Sequence, residues 1–209
     1  MNTSANHQSA MTLYSHANCI HCHQVRIVLA EKGIGADIIE PVDGVLPKEL
    51  SVVNPTGSLP TLIDRDLGLY DSKVINDYLD ERYPHPPLLP VDPVSRARTR
   101  LALHRIHADW YELVPALSGS NTKAQSTAAS QLTESLVASA GVFAAMPFFL
   151  SEEYSILDAT LAPLLWRLPQ YGIVLPSGAK AVVAYADRIF ERDGFQASLS
   201  DAEKALRNA

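Results

Sequence analysis

Five prolines lie within the segment 84–93, "PHPPLLPVDP", and they constrain the fold more than any other feature of the chain. Proline lacks a backbone N–H and its ring clashes with the preceding helical turn, so a helix cannot run through this segment. We expect an extended proline-rich linker at 84–93, with one domain at 11–83 and a second at 94–209. The polar first ten residues lack the apolar stretch of a secretory signal and are predicted to be a disordered leader, 1–10.

Before the linker, strand and helix patterns alternate along the chain. Short apolar runs predict four strands, at 11–16, 36–41, 58–64 and 67–71. Apolar residues at helical spacing predict helices at 17–33 and 71–84, and a shorter one at 47–55.

After the linker, no convincing strand pattern occurs. The sequence predicts four helical segments, at 94–117, 122–146, 151–172 and 178–199. The third is apolar nearly all round, which is typical of a buried helix. Ser155 and Asp158 have the spacing of a capping box at its start.

The composition and net charge of the chain argue against some classes of function. No apolar run approaches the roughly 20 residues of a membrane span, so we expect no membrane association. Two neighbouring cysteines form no disulfide framework, which favours a reducing cytoplasm. The net charge of −6 argues against direct nucleic-acid binding, because that requires lysines and arginines to displace phosphate counterions.

The stretch "CIHCH" predicts a thiol at the start of a helix. A helix N-terminus carries a partial positive charge and free N–H groups, which lower the pKa of a cysteine placed there. Cys19 is therefore the candidate nucleophile and Cys22, one turn later, the candidate resolving thiol, with His21 and His23 assisting if protonated. In the alternative, both cysteines are ordinary residues and Cys22 is a small buried apolar group.

A metal site is a further alternative for this stretch. Zinc takes four converging ligands, and the candidates are His16, Cys19, His21, Cys22 and His23. One helical turn and a strand end cannot easily direct four side chains to one point. We therefore expect no metal, with the histidines solvated at the helix start.

The order of elements resembles the glutathione transferase fold, an α/β thioredoxin-like N-terminal domain followed by an all-α C-terminal domain. "SLPTL" is similar to the segment that carries a cis-proline in that fold, here Pro60 after Leu59. "YDS" is similar to its acidic–serine pair, here Asp71 and Ser72. The resemblance implies a glutathione site built from the Leu59 backbone, Pro60, Asp71 and Ser72. The same residues also suit purely architectural roles, as helix N-cap and structural cis-proline, so glutathione binding stays open.

Longer segments resemble the stringent starvation protein A family in particular. They are "HQVRIVLAEKG", "YLDERYPHPPLLPVDPV", "HRIHADWY", "LAPLLWRLPQYGI" and "RIFERDGFQASL". This resemblance implies a non-catalytic partner of RNA polymerase that regulates transcription under stress, with no required cofactor. It implies a homodimer, with a heterodimer formed with a related chain left open.

The resemblance also implies a partner-binding loop at Tyr83, Pro84, His85 and Pro86. Rigid prolines that hold His85 outward would present a preorganised contact. The alternative is a plain linker with a solvated histidine.

The "CIHC" segment departs from the pattern of that family. It resembles the C-P-x-C opening of glutaredoxins and omega-like transferases, with isoleucine in place of proline. That likeness implies an alternative function, a glutathione-dependent thiol transferase or reductase that uses Cys19.

Overall fold

A four-stranded mixed sheet lies in the N-terminal part of the structure, a computed structural model that describes residues 11–207. Its strands are β1 (Met11–Tyr14), β2 (Asp37–Ile39), β3 (Thr61–Asp64) and β4 (Leu67–Tyr70). The strand order is β2-β1-β3-β4, with β1 parallel to β2 and the other two pairs antiparallel. The predicted leader, 1–10, lies outside the described residues.

Two α-helices accompany this sheet, α1 (Ile20–Glu31) and α2 (Ser72–Arg82). All residues from Cys22 to Leu29 are buried, because α1 lies between the sheet and the second half of the chain. Gly33 adopts φ +62°, a conformation that glycine reaches without strain, and the chain turns there towards β2. The short helix predicted at 47–55 is a 3-10 helix, Lys48–Val52.

The second half contains helices and no strand of the sheet within the described residues. They are α3 (Pro93–Asp109), α4 (Val114–Leu117), α5 (Thr122–Ala138), α6 (Ala140–Ala145), α7 (Ile156–Trp166), α8 (Lys180–Phe190), α9 (Asp193–Ser198) and α10 (Asp201–Ala205). Ser155 and Asp158 form the predicted capping box of α7, and every residue of that helix is buried. A thioredoxin-like α/β half followed by an all-α half confirms the predicted fold class.

The helix predicted at 94–117 is wrong in its length, since α3 ends at Asp109. Trp110 follows with φ −120° and turns its indole into the core, where its N–H donates to Ser135 Oγ at 2.7 Å. Pro115 is accommodated because it lies in the first turn of α4, where no intrahelical N–H is needed. Leu101 belongs to the apolar pattern of this helix together with the buried Ile106, and it is nevertheless 63% exposed.

A buried charge cluster joins the two halves, and it consists of Arg26, Arg167 and Glu203. Arg26 of α1 donates to Glu203 Oε2 at 2.6 Å, and Arg167, just after α7, donates to Glu203 Oε1. The Glu203 side chain is fully buried, and neither arginine is more than 6% exposed. One carboxylate on α10 therefore ties together three helices from both halves of the chain.

Candidate functional site

The Cys19 side chain caps the N-terminus of α1. Its Sγ accepts a hydrogen bond from the Cys22 N–H at 3.1 Å, and it lies 3.9 Å from the carbonyl oxygen of Leu59. The Leu59–Pro60 peptide bond is cis. The structure thus brings the predicted nucleophile against the predicted cis-proline segment, although 40 residues separate them in sequence.

The two thiols have opposite acid–base properties. The hydrogen bond from the Cys22 side chain lowers the pKa of Cys19 to about 7; burial opposes this, and the N–H groups of Cys22 and His21 assist it. The Cys22 thiol, which donates that hydrogen bond, has a raised pKa, and burial raises it further. The site therefore holds one thiolate near neutral pH, stabilised by a second thiol that stays protonated.

The expectation that the neighbouring histidines are solvated and assist as cations is wrong for His23. Its ring is fully buried, with Nε2 3.0 Å from Ser198 Oγ, and its pKa is held well below 6.5 by burial and then by the charges of Arg167 and Arg26. Burial also lowers the pKa of His21. Helix α1 is enclosed on both sides, so these rings are neutral at neutral pH.

The candidate metal ligands of this stretch do not converge. His23 faces Ser198, whereas the His21 ring lies 5.4 Å from the Tyr111 ring. Among residues 11–207, no group of three or more histidine, cysteine and acidic side chains is arranged to hold a metal ion.

Asp71 and Ser72 lie at the N-terminus of α2. Asp71 is the N-cap, and its carboxylate accepts from the Lys73 N–H at 2.8 Å. Its backbone adopts φ +70° and ψ +122°, a rarely populated region for a residue other than glycine, with a strain of about 1–3 kcal/mol. Backbone strain of this kind concentrates at functional sites.

A cleft of about 340 Å³ lies between the starts of α1 and α2 and the end of α3. Its lining comprises His21 from α1, Asp71 and Ser72 at α2, and His107 and Tyr111 from the end of α3 onwards. The His107 and Tyr111 rings lie 4.8 Å apart. The sequence analysis connected neither His107 nor Tyr111 with this site, although the segment "HRIHADWY" carries both.

The loop Tyr83–Pro86, here called the His85 loop, lies at the surface between α2 and α3. Pro84, His85 and Pro86 are exposed, and the His85–Pro86 peptide bond is cis. The Lys32 ammonium donates to the carbonyl oxygens of Tyr83 and Pro86, each at 2.7 Å. The loop is therefore anchored at both ends by one buried cation that the sequence did not reveal.

Comparison with known proteins decides the family. The chain is 47% identical over 202 residues to a stringent starvation protein A homolog from Pasteurella multocida, which covers 95% of this chain and 94% of that protein. A homolog of the same name from Coxiella burnetii is 48% identical and covers 96% of each chain. The chain belongs to the stringent starvation protein A family.

Family models and solved structures place this chain within a wider fold. Models of the glutathione S-transferase N-terminal and C-terminal domains match residues 13–87 and 101–193. Glutathione transferase Omega 3C from Trametes versicolor superposes with a TM-score of 0.80 at 23% identity, covering 97% of this chain and 93% of that one. A theta class enzyme from Xanthomonas axonopodis pv. citri, with glutathione bound, gives 0.82 at 21% identity and covers 93% and 99%. These likenesses show the fold.

One further property of this family member concerns membranes. Among residues 11–207, the helices are too short and insufficiently apolar for any of them to cross a bilayer.

Proposed function

We propose that this protein regulates transcription under stress by binding RNA polymerase in the cytoplasm, without a catalytic step of its own. Its support is identity of 47–48% over 95–96% of the chain to proteins named for the stringent starvation response. The net charge of −6 fits binding to a protein partner rather than directly to nucleic acid.

The His85 loop is the proposed contact surface. The main observation in support is that Lys32 anchors this loop by hydrogen bonds. Three consecutive exposed residues, Pro84 to Pro86, have a backbone fixed by proline rings and by the two hydrogen bonds from Lys32. A surface that is already ordered loses little conformational entropy on binding. His85 is thus presented to a partner at low entropic cost.

A homodimer is the proposed assembly. Val74 of α2 is 50% exposed, and Val94 and Leu101 of α3 are 60% and 63% exposed. The two helices are neighbours, since Arg100 of α3 pairs with Asp77 of α2 at 3.1 Å. Exposed apolar side chains on adjacent helices are typical of a surface that a second chain covers. Sedimentation of the purified protein alone, and with a related chain, distinguishes a homodimer from a heterodimer.

The proposal is tested by binding of the purified protein to purified RNA polymerase from starved and growing cells. We expect His85→Ala to weaken binding by at least about tenfold, or 1.4 kcal/mol. His104→Ala serves as the matched control, because His104 is also exposed but lies on α3 outside the loop. If the parent protein binds neither polymerase preparation, the proposal is overturned. If the two variants lose affinity for polymerase equally, the His85 loop is not the contact surface.

A second candidate, a glutathione-dependent thiol transferase, is favoured by the lowered pKa of Cys19. The Cys19 thiolate would attack the glutathione sulfur of a protein–glutathione mixed disulfide, forming a Cys19–glutathione disulfide and expelling the protein thiolate, which takes up a proton. A second glutathione thiolate would then attack the glutathione sulfur of the Cys19–glutathione disulfide, releasing glutathione disulfide and restoring Cys19. We assign Cys22 to stabilising the thiolate rather than to resolving the disulfide, because it is fully buried.

Turnover of a glutathionylated peptide tests this candidate. We expect Cys19→Ser to abolish turnover, and Cys22→Ala to slow it without abolishing it. Full turnover by Cys19→Ser would exclude the mechanism, and complete loss in Cys22→Ala would restore Cys22 as resolving thiol.

A further inference from the structure

The loop 16–18, which leads from β1 to the thiol, is held by groups from distant parts of the chain. The hydroxyl of Ser200 donates to the carbonyl oxygen of Ala17 at 2.8 Å, across 183 residues. The guanidinium groups of Arg26 and Arg167 contact the other two carbonyl oxygens of the loop at 3.4 and 3.5 Å. The bond from Ser200 is therefore the shortest of the three.

Helix α10 fixes the orientation of the Ser200 hydroxyl. Ser200 is the N-cap of that helix, and its Oγ accepts from the Glu203 N–H at 3.1 Å. The N–H of Ser200 donates in turn to the buried Glu203 carboxylate at 3.0 Å. Because the oxygen of the hydroxyl is occupied as an acceptor by its own helix, its hydrogen is directed at Ala17. The capping box of α10 thus also orders the loop that precedes the thiol.

The position of this loop decides whether Cys19 can cap α1. Cys19 adopts φ −75° and ψ +117°, an extended conformation, and its N–H donates to the carbonyl of His16 at 3.2 Å. From this position its Sγ accepts from the Cys22 N–H at 3.1 Å. A functional group has to be held within about 0.5 Å and 10–20° of its productive geometry. A displaced loop would therefore weaken the hydrogen bonds that stabilise the thiolate.

We propose that Ser200 is a positioning residue for Cys19, because its bond to Ala17 holds the loop 16–18, and with it the thiol, in the capping geometry. This role rests on the second candidate function, thiol transfer. Ser200 touches neither reactant in that reaction. It acts before the bond-forming step, by keeping the Cys19 thiolate available to attack the glutathione sulfur.

The role of Ser200 can be separated from the charges near the thiol. The charged or titratable side chains beside Cys19 and its loop are His21, Cys22 and Arg26 on α1, Tyr111 after α3, Arg167 after α7 and Glu203 on α10. A neutral substitution of Ser200 leaves all of them in place, so a change in the acidity of Cys19 reports its geometry. Ala17 and Ser200 also line a groove of about 420 Å³, from which water can satisfy the Ala17 carbonyl once the hydroxyl is removed.

The pH dependence of Cys19 alkylation by iodoacetamide, measured on the full-length protein, tests the proposal. We expect Ser200→Ala to raise the midpoint by at least about half a pH unit, which lowers the rate at pH 7 about twofold. Ser200→Thr keeps a hydroxyl and should retain the parent midpoint. Ser200→Gly should raise the midpoint with little loss of stability, because glycine lacks the hydroxyl but is itself a favourable N-cap.

A second N-cap provides the matched control. Asn121→Ala removes the cap of α5, whose side chain accepts from the N–H groups of Lys123 and Ala124, and it should leave the alkylation midpoint unchanged. If Ser200→Ala and Ser200→Gly keep the parent midpoint, Ser200 is a plain helix cap and the proposal is overturned. A midpoint raised equally in Ser200→Thr or in Asn121→Ala overturns it too, because neither variant removes the hydroxyl that contacts Ala17.

Turnover of a glutathionylated peptide, measured on the same variants, separates this proposal from the function on which it rests. We expect Ser200→Ala to turn over more slowly than the parent at pH 7 and to approach the parent rate at higher pH, where both thiols are ionised. A parent protein that shows no turnover, together with a raised alkylation midpoint in Ser200→Ala, refutes the transferase and supports the positioning of Cys19 by Ser200.

Discussion

The Lys32 ammonium lies 2.7 Å from the Asp80 carboxylate, and both side chains are buried. Lys32 uses its remaining hydrogens on the carbonyls of Tyr83 and Pro86, while Asp80 accepts from the N–H groups of Leu88 and Leu89 at 2.8 and 3.0 Å. The pair therefore holds both flanks of the His85 loop. Its position beneath an exposed, proline-rich surface explains how a connecting segment keeps one conformation.

Replacing Lys32 by methionine is expected to destabilise the fold by about 3–5 kcal/mol, because it leaves the Asp80 carboxylate buried without its cation. The same change should weaken polymerase binding, because the loop loses two anchoring hydrogen bonds. Urea unfolding measures the first effect and polymerase binding the second. Lys73→Met, on an exposed lysine, is the matched control; an equally small loss of stability in both variants would contradict the assignment of Lys32.

The reactivity of Cys19 should follow its lowered pKa. The rate of alkylation by iodoacetamide should rise with a midpoint at about pH 7, and Cys22→Ala should move that midpoint upward, because the Cys22 side chain is the largest stabiliser of the thiolate. The ordinary pKa of cysteine is 9.0, so ionisation of Cys19 should also raise the free energy of unfolding as pH rises from about 7 to 9. An alkylation midpoint near 9 in the parent protein would refute the prediction.

Acidification should destabilise the fold through its buried histidines. Burial lowers the pKa of His107 from the ordinary 6.5 to about 4, and the charges of Lys73 and His21 add to this effect. Between these two pH values the unfolded chain therefore binds a proton at His107, whereas the folded chain does not. The free energy of unfolding should therefore fall as pH decreases from about 6.5 to about 4. His107→Phe should flatten part of this slope in urea titrations across that range, with His21 and His23 accounting for the remainder. An unchanged slope would exclude His107 as a contributor.

Glu203 should be among the least replaceable residues of the second half. Glu203→Gln leaves Arg26 and Arg167 without their shared carboxylate, at an expected loss of about 3–5 kcal/mol. Glu152→Gln, on an exposed glutamate, should change stability by less than about 0.5 kcal/mol. Chemical denaturation of the two variants in parallel provides the measurement, and similar midpoints would show that the charge cluster is dispensable.

Local patterns predicted the four strands and the positions of α1, α2 and α7. They did not predict the end of α3 at Asp109, the breaks that separate α5 from α6 and α8 from α9, or the presence of α10. The proline-rich segment separates α2 from α3, and Ser155 with Asp158 caps α7 as their spacing predicted. The segments "SLPTL" and "YDS", singled out by resemblance, lie beside Cys19 and at the start of α2. These features depend on residues close together in sequence or on a motif with a known place in the fold.

Long-range polar contacts could not be predicted in the same way. His23 and Arg26 look like surface residues of a helix start, but their partners Ser198 and Glu203 lie 175 and 177 residues away. Lys32 meets the carbonyl of Tyr83 across 51 residues, and a backbone carbonyl has no signature in the sequence.

The position of Glu203 on α10 has a consequence for synthesis of the chain. A nascent polypeptide whose helix α10 is still inside the ribosome holds Arg26 and Arg167 without the carboxylate that neutralises them. Neither half can then reach its final stability, however complete its own core. Folding of this protein is thus expected to wait until α10 has left the ribosome, and a chain clipped before α10 should be a substrate for proteases.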